Sequence, residues 1–208
     1  MRSILSVTTA ATVTALTTLE RLKQELDITV STYDSLLRAK IKEATSDINA
    51  RAWADPRETL TQTFWNVQGE EYLILRRRPV VSITSVTLDD VALETTEYRL
   101  DDETGVLYCL DTSGYPISWE ACKSIIVVYV AGYIMPGQTS ANLEPALEGA
   151  AIELLQSYWQ SRGRDPLIKS ESVPDLGEVS YWVGAVGEAG SLPPGVETKI
   201  APFRRVML

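Results

Sequence analysis

Apolar positions recur at helical spacing near the start of the chain and again near residue 150, with near-alternating spacing between. Leu19, Leu22 and Leu26 share one face of a segment that Thr17 or Thr18 can cap, which predicts a short helix over about 18–26. Glu20 in its first turn suits the positive end of the helix dipole. Residues 27–32 break that pattern, and Ser31 followed by Asp34 is a variant of the capping box. Leu37, Ile41, Ala44 and Ile48 then form one continuous stripe, predicting a second helix over about 32–52 that Asp55-Pro56 closes into a helical hairpin.

From Leu60 to Val130 the apolar period falls to about two residues. Residues 61–67, 72–75, 80–88, 97–100, 105–110 and 124–130 read as short strands separated by acidic and glycine turns, the pattern of a small antiparallel element. The run Ile125-Ile126-Val127-Val128-Tyr129-Val130 is a buried strand by composition. A Pro/Gly break at 135–138 ends it. A long helix over about 143–161 follows, with Asn142 as candidate cap and Pro145 tolerated in the first turn. Leu143, Leu147, Ala151, Leu154 and Tyr158 form one stripe, and Ile152, Leu155 and Trp159 a second beside it. So wide an apolar arc is covered on two sides, which makes the second stripe a candidate subunit interface.

Beyond Gly163 the pattern changes again. Residues 163–208 hold Pro166, Pro174, Pro193, Pro194 and Pro202 among glycines and scattered aromatics, the composition of an extended arm that orders on a partner. The expected fold class is therefore α+β: an N-terminal helical hairpin, a small antiparallel β element and a long C-terminal helix within a core of residues 1–162, then an extended Pro/Gly-rich interaction arm over 163–208. Tyr181 and Trp182, and the mixed apolar and basic end Phe203, Arg204, Arg205, Val206, Met207 and Leu208, are its candidate partner-binding residues.

Composition narrows the function. The chain has 208 residues, a formal net charge of −9 and no histidine. The charge disfavours indiscriminate attraction to nucleic-acid phosphates. The missing histidine removes the usual general base, proton shuttle and commonest metal ligand, so a Ser-His or Cys-His nucleophile is excluded. No Gly-rich phosphate loop and no spaced set of oxygen ligands occurs. Asp89-Asp90 and Asp101-Asp102-Glu103 read as turn residues, and Arg76-Arg77-Arg78 as a source of salt bridges rather than a phosphate contact. Cys109 and Cys122 are too few for a zinc site or a disulfide framework; reduced thiols fit best, and one bridge between them stays open. The expectation is no catalytic residue, no cofactor and no metal. Threonines interrupt the apolar stretch after Arg2, and no run approaches the ~18 apolar residues of a membrane span, so a soluble, cytoplasmically made protein with no membrane partner is expected.

Several of these segments, in order, resemble the head–tail connector proteins of tailed phages, also called adaptor or head-completion proteins. The matching residues are Thr18-Leu19-Glu20-Arg21-Leu22-Lys23, Asp34-Ser35-Leu36-Leu37 and Arg78-Pro79-Val80-Val81-Ser82-Ile83-Thr84-Ser85-Val86. Tyr98-Arg99-Leu100-Asp101, Gly105-Val106-Leu107, Val127-Val128-Tyr129-Val130-Ala131-Gly132-Tyr133 and Tyr158-Trp159-Gln160-Ser161-Arg162 follow. The resemblance covers residues 16–162. It implies a non-catalytic, ring-forming homo-oligomer of about twelve subunits in the virion neck, assembled in the host cytoplasm. Its implied partners are the portal protein and a downstream neck or tail-completion protein. DNA would pass through the channel without sequence-specific binding. Such a ring would carry a formal charge on the order of −100, a wall that does not hold phosphates. The alternatives are a tail-completion or terminator protein, or a carboxylate- or lysine-dependent enzyme.

Overall fold

The computed structural model describes residues 2–162, 170–173, 177–180 and 192–205. Two compact units interleave along the chain: Met1–Thr14 with Trp53–Asn142, and Ala15–Ala52 with Leu143–Leu208. Composition alone places a break at residue 162. The units are instead divided by which segments share a core, and that depends on contacts distant in sequence.

The first unit is built of strands: β1 (Arg2–Thr9), β2 (Glu58–Val67), β3 (Leu73–Ile74), β4 (Val80–Leu88), β5 (Val91–Ala92), β6 (Tyr98–Asp101), β7 (Val106–Leu110), β8 (Pro116–Ile117) and β9 (Cys122–Ala131). They form a five-stranded antiparallel sheet in the order β1-β2-β9-β4-β5, and a four-stranded one in which β7 pairs β3, β6 and β8. The β element is thus larger than its pattern suggests. β1 was not legible as a strand, because its Ser and Thr residues blur the alternation even though Thr favours strands.

Alternation along β9 explains the rest. Ile125, Val127, Tyr129 and Ala131 are buried, while Ile126, Val128 and Val130 on the opposite face are half-buried. The buried face meets Leu60, Phe64 and Val67 of β2, Val80 and Val86 of β4, and Leu73, Leu75, Leu107 and Trp119 in one core. Within it lies a polar hub. The fully buried Gln62 donates through Nε2 to the Ile74 carbonyl (3.1 Å) and Ser3 Oγ (3.3 Å). Its Oε1 accepts from the Arg76 backbone N–H (2.9 Å) and the Tyr129 hydroxyl (3.1 Å). Both amide hydrogens and both lone pairs are used, which is the condition for a polar group to sit in a core without penalty. Burial pushes the Tyr129 hydroxyl up to about 12, outweighing the backbone N–H groups of Arg77 and Arg76.

Turn chemistry follows the acidic residues. Asp89 and Asp90 take φ of 42° and 69° in the two-residue link from β4 to β5. Asp89 accepts from the Ser124 N–H (2.8 Å) and the Lys123 N–H (3.2 Å), and those bonds hold its carboxyl below the usual range. Asp101 is likewise lowered, by the Thr104 hydroxyl and then its N–H. Gly132, at φ 99°, leaves β9 where a Cβ would lie 2.2 Å from the Pro56 carbonyl oxygen, so only glycine fits.

The second unit holds α1 (Leu19–Glu25), α2 (Asp34–Asn49), α3 (Pro145–Gln160), the paired strands β10 (Ser170–Val173) and β11 (Gly177–Ser180), α4 (Pro194–Ile200) and a 3-10 turn at Ala201–Phe203. Thr18 caps α1 through the Arg21 N–H. Neither Ser31 nor Asn142 caps its helix: α2 starts at Asp34 with no side-chain cap, and the Asn142 side chain accepts from the Ile134 N–H. α3 packs on α1, α2 and α4. Of the arm expected to be extended over 163–208, residues 194–203 are helical, and Leu192, Val196 and Ile200 are buried. Their spacing of four is a single apolar helix face, and Pro at the first helical positions is compatible with it.

Gln62→Leu strands three polar groups in the core and should cost roughly 3 kcal/mol in urea unfolding, against about 1 kcal/mol for Tyr129→Phe at neutral pH. Tyrosine in the unfolded chain ionises near pH ~10, whereas folded Tyr129 holds its proton until about 12. The stability this contributes is complete below pH ~10 and lost through that window. Tyr129→Phe should therefore flatten the alkaline limb of a stability-versus-pH curve.

Candidate functional site

The described surface of the helical unit has one groove in which aromatic rings and cations converge. Leu37, Ile41, Ala44, Thr45 and Ile48 of α2 and Leu147, Ala150, Ala151, Leu154 and Leu155 of α3 bury facing stripes. Where the two helices leave a gap, Leu36, Leu37 and Lys40 line it from α2, and Leu155, Tyr158 and Trp159 from α3, with Arg162 just beyond. Leu36 is 38% exposed, so the groove keeps an apolar wall open to solvent.

Its rim is organised by rings. Trp159 meets Tyr33 edge to face, with centroids 5.2 Å apart at 77°. The Arg162 guanidinium lies 4.3 Å from the Trp159 ring centre and 4.5 Å from that of Tyr33. Lys40 Nζ stands 5.1 Å over the Tyr158 ring and also binds Glu43 at 2.7 Å. The Tyr158 hydroxyl donates to Asp47 Oδ2 at 2.8 Å. Burial, and then that carboxylate, push the Tyr158 hydroxyl well above its ordinary value, so it remains a donor. An apolar slot with cations over aromatic faces is binding chemistry. It holds no nucleophile beside a base. Among the described residues no group of three or more acids or cysteines is placed to hold a metal, and no helix is long and apolar enough to cross a membrane.

The expected site residues fall in different places. Ile152 and Leu155 are buried within their own unit at 8% and 2% exposure, partly because α4 covers α3, while Trp159 is half-buried in the groove. Phe203 ends the 3-10 turn and is half-buried. Arg204 binds Glu197 at 2.5 Å, and Arg205 donates through Nε to the Ala52 carbonyl (2.9 Å) and through its backbone N–H to Arg51 (2.9 Å). Both arginines are therefore tied to their own unit. Tyr181, Trp182, Val206, Met207 and Leu208 lie outside the described residues. In the arginine triplet, Arg77 pairs with Asp55 (3.1 Å) and Glu58 (3.2 Å), Arg78 lies over Trp53, and Arg76 reaches the Ser3 carbonyl. Cys109 and Cys122 are free thiols whose pKa burial raises. Tyr33, Leu36, Lys40 and Arg162 were missed as site residues. Leu36 and Lys40 share one exposed flank of α2 at helical spacing, but that flank gains meaning only opposite α3.

These features define a mixed α+β protein with antiparallel sheets. No known family pattern matches the sequence, and no curated protein does. In fold it is similar to a chain in the virion of a native gene transfer agent particle, with a TM-score of 0.63, 17% identity and coverage of 99% of this chain and 97% of that one. It is also similar to a chain in the neck of the empty particle, computed with C6 symmetry (TM-score 0.60, 19% identity, the same coverage). A third similar chain belongs to the neck of the native particle, computed with C12 symmetry (TM-score 0.51, 17% identity).

Arg162→Ala should cost no more than about 1 kcal/mol. Trp159→Ala, which also removes the Tyr33 contact and apolar area, should cost roughly 2–3 kcal/mol. Urea unfolding of the two variants measures the difference.

Proposed function

We propose that this chain is a structural subunit of the neck of a tailed-phage-like particle. Copies form a ring of about twelve beneath the portal, offer a platform to the next neck or tail component, and leave a conduit for DNA. The observation that carries this reading is the likeness in fold over 99% of the chain to chains in the necks of gene transfer agent particles. The order of connector-like segments over residues 16–162 supports it independently.

The surfaces fit assembly. The net charge of −9 suits a wall past which DNA slides, and Asp90, Glu94, Asp102 and Glu103 are all exposed acids of the sheet unit. The Trp159 groove is the part of the proposed subunit interface with surface to offer, and the buried Ile152 supports it from within the unit. Because Arg204 and Arg205 are bound to their own unit, the portal-directed anchor is assigned to Val206, Met207 and Leu208, with Tyr181 and Trp182 as further partner contacts.

Mixing the purified protein with portal-bearing, DNA-filled capsids and imaging by electron microscopy tests the reading. A ring of added density below the portal is the expected result. Absence of that density, with the protein folded and the portal accessible, would overturn it. Deleting residues 206–208 should leave the urea midpoint unchanged and weaken attachment to the capsids. Full attachment of the truncated chain would remove the anchor role.

A further inference from the structure

Among the described residues, the five-stranded sheet has two edges that no further strand of the chain covers. β1 is the outer strand on one side, with β2 as its strand partner. On the other side β5 pairs only with Thr87 and Leu88, and the Leu93 N–H takes the Val86 carbonyl. The outer flank of β4 from Val80 to Ser85 therefore has no backbone partner among the described residues.

Open strand edges invite another strand, and proteins that must stay apart blunt them with charge, proline or bulges. β1 has little of this protection. Its one charged residue is Arg2 at its start, with none from Ser3 to Leu19; β1 contains no proline, and its single irregularity lies at its far end, between Val7 and Thr9. Ile4 is 60% exposed and Val7 47% exposed. The Arg76 side chain reaches its backbone, donating to the Ser3 carbonyl at 3.3 Å. The β4 edge, Val80-Val81-Ser82-Ile83-Thr84-Ser85, is also uncharged, and Val81 is 45% exposed. β4 carries two bulges, between Val80 and Ser82 and between Ile83 and Ser85, which confine any pairing there to a short stretch.

Direction matches as well as chemistry. β1, β2, β9 and β4 are successive antiparallel neighbours, so β1 and β4 run oppositely. A second copy set alongside in the same orientation presents its β4 antiparallel to β1 of the first. Because the junction lies on β4 beside the short β5, four strands of each copy separate its two edges, and that even number lets the antiparallel alternation continue across the junction. Pairing of β1 with β1 would instead create an isologous two-fold contact, which cannot propagate around a cyclic ring.

The geometry points to β1 of one copy adding to the β4 edge of the next, through a heterologous β-strand junction centred near Ile4 and Ser82. Residue parity selects that centre: Ile4 lies on the face of Thr63, Ser82 on the face of Val130, and those residues share the half-buried face of the sheet through the register of β2 and β9. Four strands at ~4.8 Å span about 19 Å per copy, so about twelve copies would close a belt roughly 70 Å across, wide enough for a DNA duplex. Closure of the belt rests on the ring reading above; the strand junction does not.

Single variants Ile4→Cys and Ser82→Cys test the junction. Both positions are exposed, so neither change disturbs the core. The two variants are mixed and oxidised mildly, free at high concentration and bound to portal-bearing capsids, with wild type as control for Cys109 and Cys122. A disulfide-linked dimer present in the mixture and lost in either variant alone is expected. Dimer from Ile4→Cys alone would assign β1–β1 pairing and overturn the junction. So would absence of the mixed dimer in both settings. Capsid binding is read separately, so protein that binds without cross-linking refutes the strand junction and leaves the ring reading standing.

Discussion

The sheet-bearing unit depends on β9, which is hydrogen-bonded along nearly its whole length on both sides, to β2 and to β4. Its buried face supplies Ile125, Val127, Tyr129 and Ala131 to the core, and Tyr129 reaches the Gln62 hub. That hub joins β2, β9, the start of β1, and β3 with the segment after it through four hydrogen bonds around one amide. A buried polar group satisfied this fully specifies register as well as stability, because a slip by one residue would turn Gln62 to the other face and strand its partners.

The helical unit is organised differently, by apolar stripes with polar ties at their edges. Thr17 binds Glu148, the Leu16 N–H binds Thr45, and Tyr158 binds Asp47. α4 completes it: Lys199 pairs with Glu153 at 2.6 Å while Val196 and Ile200 are fully buried. A helix of seven residues has little stability alone, so α4 exists because α3 offers it an apolar face. The same contact explains why, among the described residues, the wide apolar arc of α3 keeps open the end around Trp159.

The proposed roles divide along these lines. Rigid packing is placed in the interiors, and the surfaces proposed for assembly are an aromatic groove with cations on its rim and two strand edges with little charge. Neither requires a cofactor, and both would bury more of the chain on joining another copy.

Long, strongly periodic segments were legible from sequence. The stripes of α1, α2 and α3, the β-branched run of β9, the strand before Asp89-Asp90 and the turn role of those acids all follow from local physics: side-chain period, capping and φ preference. Segments whose structure depends on a distant partner were not. β1 has mixed Ser, Thr and apolar positions that become a strand because β2 supplies hydrogen bonds, and α4 reads as a proline-rich arm until α3 covers it. The groove was half visible: Trp159 was singled out, but Tyr33, Lys40 and Arg162 join it only through the packing of α2 on α3. Sequence by itself determined the types of the strongly periodic elements and the lack of histidine-based chemistry, because periodicity and residue identity are local properties. Tertiary structure decided the grouping into two interleaved units, the Gln62 hub, the ties that hold Arg204 and Arg205, and the open edges of β1 and β4, because each requires residues far apart in the chain to meet.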